Sequence, residues 1–278
     1  MIEEQIEPLQ ALARWEHDLD RLRAQYAAAE PYPHIVLDGA LAPEMFARCV
    51  AEFPPRDGAG WINYVHINET KFGNTRAETW GPSLQTVVKS LTAPRFVRFL
   101  EGLTGIDDLL ADRTMDGGGL HQTLPGGHLN VHADFTANHT VPGWRRRLNV
   151  LLYLNPEWRP EWGGDLELWA PDMSRAVEMV APIGNRLMVF TTDEQSFHGH
   201  PEALTCPEGV SRQSLALYFF TAEDHPMFRS TNYQARPGDG FKKVAIYVDK
   251  GALRAYDVFK RRLRFSDQRI SRLLRRGR

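Results

Sequence analysis

The sequence predicts a mainly β fold with flanking helices, of the α+β kind, in which a β-sandwich or barrel follows a helical N-terminal third. Three observations point there. Seven short apolar or alternating runs follow one another between residues 119 and 221, separated by Gly, Pro and Asn. The first hundred residues instead show apolar spacings of three and four. The 278 residues are 42 % apolar and 10 % aromatic, a globular composition long enough to bury its own core.

Leu9, Leu12, Trp15, Leu19, Leu22 and Tyr26 form one apolar stripe, which predicts a single helix ended by Pro31 and Pro33. The stripe suits core packing or, alternatively, a homo-oligomer contact. Residues 34–37 read as a strand. Pro43 opens a helix with Met45, Phe46, Cys49, Val50 and Phe53 on one face, stopped at Pro54–Pro55. Residues 56–82 carry Gly, Asn and Trp without sustained period and read as long loops with one or two short strands. Residues 83–103 read as helix, interrupted at Pro94. The expected strands are 119–124, 128–134, 147–154, 165–169, 176–181, 186–192 and 212–221, and residues 252–264 and 266–276 read as terminal helices. The expected organisation is a helical and loop region over 1–107, a β core over 108–223 and an extension over 224–278, together one structural domain.

Charge and composition exclude several functions. The net charge is −2, but residues 260–278 hold a local +8, so the remainder carries −10. The basic tail reads as a solvated amphipathic helix, and the acidic body argues against nucleic acid as a partner. The two cysteines, Cys49 and Cys206, form no Cys-x-x-Cys, so neither a thiolate zinc site nor a disulfide scaffold is expected. The first ten residues, MIEEQIEPLQ, are acidic and lack an apolar segment, and no run reaches the ~18 apolar residues of a membrane span. A cytoplasmic protein is the expectation. P-loop, Gly-x-Gly-x-x-Gly, Gly-x-Ser-x-Gly and His-Glu-x-x-His motifs are absent.

The chemistry concentrates in Val131-His132-Ala133-Asp134. Strand residues two apart share a face, so His132 and Asp134 point together. Phe197-His198-Gly199-His200 offers a further imidazole 64 residues after Asp134. Two histidines and one carboxylate make the facial triad of non-haem Fe(II) oxygenases, with the opposite positions open. Arg212, 14 residues after His198, opens an apolar strand and there needs an anion or acceptor. Its planar fork suits a carboxylate of a cosubstrate whose other end chelates the metal.

With these residues in view, the stretch from about Gly117 to Thr221 resembles the prolyl-4-hydroxylase-like branch of the Fe(II)/2-oxoglutarate-dependent dioxygenase superfamily. The resemblance rests on GGHLNVHADF, RRRLNVLLYLN, EWGGDLELW, NRLMVFTT, SFHGHP and SRQSLALYFF, in family order. YPHIVLDGAL extends it, less specifically, toward the N-terminus. It implies a double-stranded β-helix, or jelly-roll, core preceded by N-terminal helices. It implies His132, Asp134 and His198 as metal ligands, with His200 the competitor for the last place. It implies Arg212, Ser214 and Tyr153 around the far carboxylate of 2-oxoglutarate. The cofactors implied are Fe(II), 2-oxoglutarate and O2, with ascorbate as an optional reductant. The activity implied is hydroxylation of an unactivated C–H, with 2-oxoglutarate decarboxylated to succinate. Desaturation or ring closure would begin alike, and a noncatalytic metal- or carbohydrate-binding jelly roll is the alternative from another class.

Two positions depart from the family pattern. Leu129 and Gln122 stand where relatives carry tyrosines near the metal end of the cosubstrate. Asp134 is intact, which disfavours halogenation. The substrate, a small molecule or a prolyl-like peptide, is expected to meet residues 135–146, read as a loop overhanging the site. His139, Trp144, Arg145 and Arg146 are its candidate contacts.

Overall fold

Residues 7–224 and 226–251 are described by the structure, a computed structural model. The N-terminal part contains α1 (Leu12–His17), α2 (Leu19–Ala28), β1 (His34–Asp38), α3 (Pro43–Ala51), β2 (Trp61–His66), β3 (Glu69–Asn74), α4 (Pro82–Leu91) and α5 (Pro94–Thr104). Then follow β4 (Leu110–Ala111), β5 (Gly119–Thr123), β6 (His128–Ala133), β7 (Trp144–Tyr153), β8 (Leu166–Trp169), β9 (Ala176–Val180), β10 (Arg186–Thr191), β11 (His198–His200), β12 (Arg212–Ala222) and β13 (Asn232–Tyr233).

The strands form the expected double-stranded β-helix. One sheet runs β1-β10-β7-β12-β5 and the other β6-β11-β8-β9, all antiparallel, with β3 joining them by pairing both β5 and β6. Between β5 and β12 the chain crosses repeatedly from one sheet to the other, the jelly-roll pattern. Both faces of β7 and β12 are buried, hence their nearly unbroken apolar runs. Outward-facing Leu148, Val150, Leu152, Leu215, Leu217 and Phe219 share a core with the helices. Inward-facing Tyr153, Ala216 and Tyr218 face the second sheet and the cavity between.

The helices follow their sequence signals with one modification. Prolines stand in the first turn of α3, α4 and α5, where no intrahelical N–H is needed. Gly105 ends α5 in the left-handed region. The first predicted helix bends at Asp18 into α1 and α2, though hydrogen bonds run on across the bend, Asp18 N–H to Arg14 C=O and Leu22 N–H to Asp18 C=O. Leu12, Trp15, Leu22 and Tyr26 stay buried, with Trp15 stacked 5.8 Å from Phe99 of α5. Most of the predicted stripe therefore packs into the chain's own core.

Other differences come from long-range pairing. The 56–82 segment contains a full hairpin, β2–β3, that walls the cavity. β7 starts at Trp144 rather than 147 because Trp144, Arg145 and Arg146 pair with the end of β12. The short β4, β11 and β13 have too few residues to show a period. A helix covers residues 242–251, which carried no expectation. The expected terminal helices, 252–264 and 266–276, and the basic 260–278 segment lie outside the described residues. No helix among the described residues is long and apolar enough to cross a membrane.

Candidate metal and cosubstrate site

β6 and β11 lie side by side with His132 and His198 directly paired. The imidazole centroids are 4.6 Å apart. Each ring is oriented by its own backbone. Nδ1 of His132 lies 2.9 Å from the Asn130 carbonyl and Nδ1 of His198 2.9 Å from the Ser196 carbonyl. A carbonyl only accepts, so Nδ1 carries the proton and Nε2 presents its lone pair. Those Nε2 atoms meet Asp134: His132 is 3.5 Å from Oδ1 and His198 is 3.4 Å from Oδ2. One ligand atom from each of the three residues lies within 4.8 Å of the others, so the donor set fits one metal ion of the Fe(II) type.

His200 lies outside this group. A register shift between His198 and His200 sets it opposite Leu129, where it is buried with Nδ1 unpartnered. Gly199 permits the close strand approach, since a Cβ there would come within 2.7 Å of the Leu129 carbonyl and 2.9 Å of Asn130's.

Protonation suits metal binding. Burial pushes His198 down to about 4, so it is neutral near neutral pH. Burial would raise the Asp134 carboxyl, but the charge of Arg146, with His198 and His132, holds it well below the usual carboxylate range.

Arg212, at the start of β12, is 6 % exposed. Its Nε donates to the Gly164 carbonyl at 2.7 Å and its Nη2 to the Tyr153 hydroxyl at 3.3 Å. Among the described residues no carboxylate forms an ion pair with it, so a buried cation faces the cavity with charge to spare. Gly164 turns in the left-handed region, φ +79°, and a Cβ there would press within 3.1 Å of Arg212 Cδ. Ser214 pairs with Tyr153 on one side and His121 on the other and lines the same cavity.

The cavity measures about 890 Å³ and runs from Arg212 past the two histidines to the β2–β3 hairpin. Leu129 lines it, as its sequence position implied. Gln122 does not: strand alternation turns it outward, where its Nε2 donates to Ser211 Oγ at 2.8 Å. His121 and Thr123 face inward instead. Burial, reinforced by Lys71, holds His121 at about 3, a neutral imidazole.

The candidate substrate contacts divide. His139 lines the cavity, its Nδ1 2.8 Å from Asp116 Oδ2, with its ring against Phe135 and Phe228. Trp144 packs on Phe220, away from the cavity lining. Arg145 is exposed and reaches Glu223 at 3.4 Å. Arg146 corrects the loop reading. It sits in β7, 2 % exposed, with its Nη2 3.0 Å from Asp134 Oδ2.

Sequence reasoning allowed short strands in 56–82 but missed the charged residues that they bring to the cavity. Lys71 Nζ lies 3.0 Å from Glu69 Oε2, and His66 bridges Glu69 at 3.0 Å and Asp249 at 2.9 Å. The two-residue spacing of Glu69 and Lys71 was the available signal, since it puts both on one strand face.

Comparisons with known proteins bear on this arrangement. The model of the 2OG-Fe(II) oxygenase superfamily matches residues 118–220. Prolyl 3-hydroxylase OGFOD1 of Mus musculus is 34 % identical over 79 residues, 27 % of this chain and only 14 % of that relative's length. A Pseudomonas putida prolyl-4-hydroxylase superposes with a TM-score of 0.53 at 20 % identity, covering 72 % of this chain and 98 % of that one, a likeness of fold. A Trichoplax adhaerens prolyl hydroxylase, solved with a hypoxia inducible factor peptide fragment, gives 0.49 at 17 % identity over 74 % of this chain and 92 % of that one. Fe(II), 2-oxoglutarate and O2 are the cofactors that this family implies. The strand order, the His132–Asp134–His198 cluster and the match over 118–220 agree: residues 118–220 are similar to the 2OG-Fe(II) oxygenase superfamily, and the fold is a double-stranded β-helix like that of the Pseudomonas putida prolyl-4-hydroxylase.

Proposed function

We propose that this protein is an Fe(II)- and 2-oxoglutarate-dependent dioxygenase that hydroxylates an unactivated C–H of a prolyl-like peptidyl substrate or a small molecule. The observation that carries the reading is one cavity lined both by a two-imidazole, one-carboxylate cluster and by a buried arginine that has no ion-pair partner among the described residues. In this reading His132, Asp134 and His198 hold Fe(II), and the bound iron supplies the oxidising chemistry. Arg212, with Tyr153 and Ser214, takes the far carboxylate of 2-oxoglutarate in a fork that only a planar guanidinium offers. His121 and Leu129 line the cavity beside the cosubstrate's path, Leu129 where relatives place a tyrosine. The inner faces of β7 and β12 keep water from its path. His139, held by Asp116, is the substrate contact retained from the sequence.

A peptidyl substrate is favoured by the relatives, whose names are those of prolyl hydroxylases. The hairpin supports it too, because its Val65 both lines the cavity and is exposed. We place the protein in a reducing compartment such as the cytoplasm, a reading supported by Cys49 and Cys206, both free and buried. The test supplies Fe(II), 2-oxoglutarate, ascorbate and air with a panel of proline-containing peptides, free amino acids and sugars. The expected result is succinate formed together with a mass gain of one oxygen on a peptide. Gain on a free amino acid or sugar alone would move the substrate to small molecules. A folded, metal-loaded protein that binds no 2-oxoglutarate would favour the noncatalytic metal- or carbohydrate-binding module.

A further inference from the structure

Oδ1 and Oδ2 of Asp134 are chemically equal but differently furnished. Each faces an imidazole nitrogen of the cluster, Oδ1 toward His132 and Oδ2 toward His198, so either oxygen lies within reach of one metal ion. Among the described residues, Oδ2 alone has further donors beside it. The Asn149 amide donates to it at 2.7 Å, and Arg146 Nη2 stands 3.0 Å away. These two donors are tied to each other, since Arg146 Nε and Nη2 both donate to Asn149 Oδ1, at 2.9 and 2.6 Å. The guanidinium is locked in turn by its surroundings. Its Cζ lies 3.4 Å from the Tyr218 ring centroid and 4.5 Å from that of Phe135, and Tyr218 is fixed by a 2.9 Å bond to the Gly117 carbonyl. The register of β7 places Asn149 opposite Tyr218, so the clamp belongs to the sheet rather than to a mobile loop.

We propose that Arg146 and Asn149 are positioning residues that hold Oδ2 of Asp134 off the metal, so that the carboxylate ligates through Oδ1 alone. The inference rests on the metal-site reading above and deepens it. A carboxylate free to close onto the metal with both oxygens would take a position that an incoming chelating keto acid needs. Bidentate closure is geometrically available to any free carboxylate, and two donors on one oxygen oppose it. Lysine cannot substitute for Arg146, because an ammonium lacks the planar fork that engages Asn149 and Asp134 together.

The test uses Co(II) in place of iron, which allows work in air. Wild type and His132→Ala are titrated with Co(II) by calorimetry and visible absorption, and the Co(II)-loaded proteins are then titrated with 2-oxoglutarate. Arg146→Met is expected to keep Co(II) binding, to show an altered Co(II) visible spectrum, and to bind 2-oxoglutarate at least tenfold more weakly. Arg146→Lys should behave as Arg146→Met does. Asn149→Leu carries the same expectation and serves if Arg146→Met does not fold. An unchanged spectrum with unchanged 2-oxoglutarate affinity would overturn the proposal. So would loss of Co(II) binding in a folded variant, which would make the pair a support for the metal itself. Wild type that binds no Co(II), or binds it independently of His132, would instead overturn the metal-site reading, and this inference with it.

Discussion

Arg212 illustrates how a single side chain can declare a ligand. It is buried, bonded to neutral groups, and lines the same cavity as the His132–Asp134–His198 cluster. Arg212→Lys is expected to raise the 2-oxoglutarate Kd of the Co(II)-loaded protein by tenfold or more, roughly 1.4 kcal/mol per tenfold, with Co(II) affinity unchanged. Calorimetry separates the two, and an equal loss of both would make Arg212 structural. Gly199 is a second such position, enclosed by the backbone of β6. Gly199→Ala should cost about 1–3 kcal/mol in urea unfolding, because carbonyl oxygens rather than flexible side chains must give way. His132, Asp134 and His198 could be picked from the sequence because strand alternation and motif order are local signals. Arg146 could not be placed so well. Its segment looks like a loop, with Pro142 and Gly143 just before it, and only pairing with β12 makes it a strand residue aimed at Asp134.

The element with most bearing on access is the β2–β3 hairpin. Its inner face presents Tyr64, His66, Glu69 and Lys71 to the cavity, and its His66 and Asn68 are tied to Asp249 in the 242–251 helix. Burial opposes the His66 imidazolium, but Glu69 and then Asp249 outweigh it and raise its pKa. Glu69 is held below the ordinary carboxylate range, against its own burial, chiefly by Lys71 and His66. A histidine raised on folding stabilises fully below its unfolded pKa of about 6.5 and loses that contribution as pH climbs through the folded value. Amide exchange across 242–251, corrected for intrinsic rate, should therefore show weaker protection at roughly pH 8.5 than at pH 6. His66→Gln should flatten the dependence; a dependence that survives it would assign the effect elsewhere. The sequence allowed one or two short strands here but not their pairing as a cavity wall, because WINYVH and ETKFGN are short and carry no sustained apolar period. β11 escaped for a related reason: His-Gly-His carries no apolar signature and is a strand only through its neighbours β6 and β8.

At the scale of the whole molecule, the helices and the site use opposite faces of one sheet. α1, α2, α4 and α5 pack on the outer face through Trp15, Leu22, Leu84, Phe96, Phe99 and Leu100, while the inner face carries Tyr153 in its own core and Ser214 and Tyr218 at the cavity. This division predicts separable effects. Leu100→Ala should lower stability by about 2–5 kcal/mol in urea unfolding, yet leave Co(II) affinity unchanged below the transition. Coupled losses would show that the helical layer shapes the cavity. The jelly-roll layout was readable because β7 and β12 are apolar on both faces, a pattern that demands cover on each side. What covers the outer face was also readable, from the helical stripes.

The central claim, a metal held by His132, Asp134 and His198 with 2-oxoglutarate reaching Arg212, has one direct measurement. Fe(II) and then 2-oxoglutarate are added to the protein without oxygen, and the visible iron-to-keto-acid charge-transfer band is recorded. The account predicts a band in the wild type that is lost in His132→Ala and weakened in Arg212→Ala. A folded, iron-binding wild type with no band, or a band that survives His132→Ala intact, would contradict it.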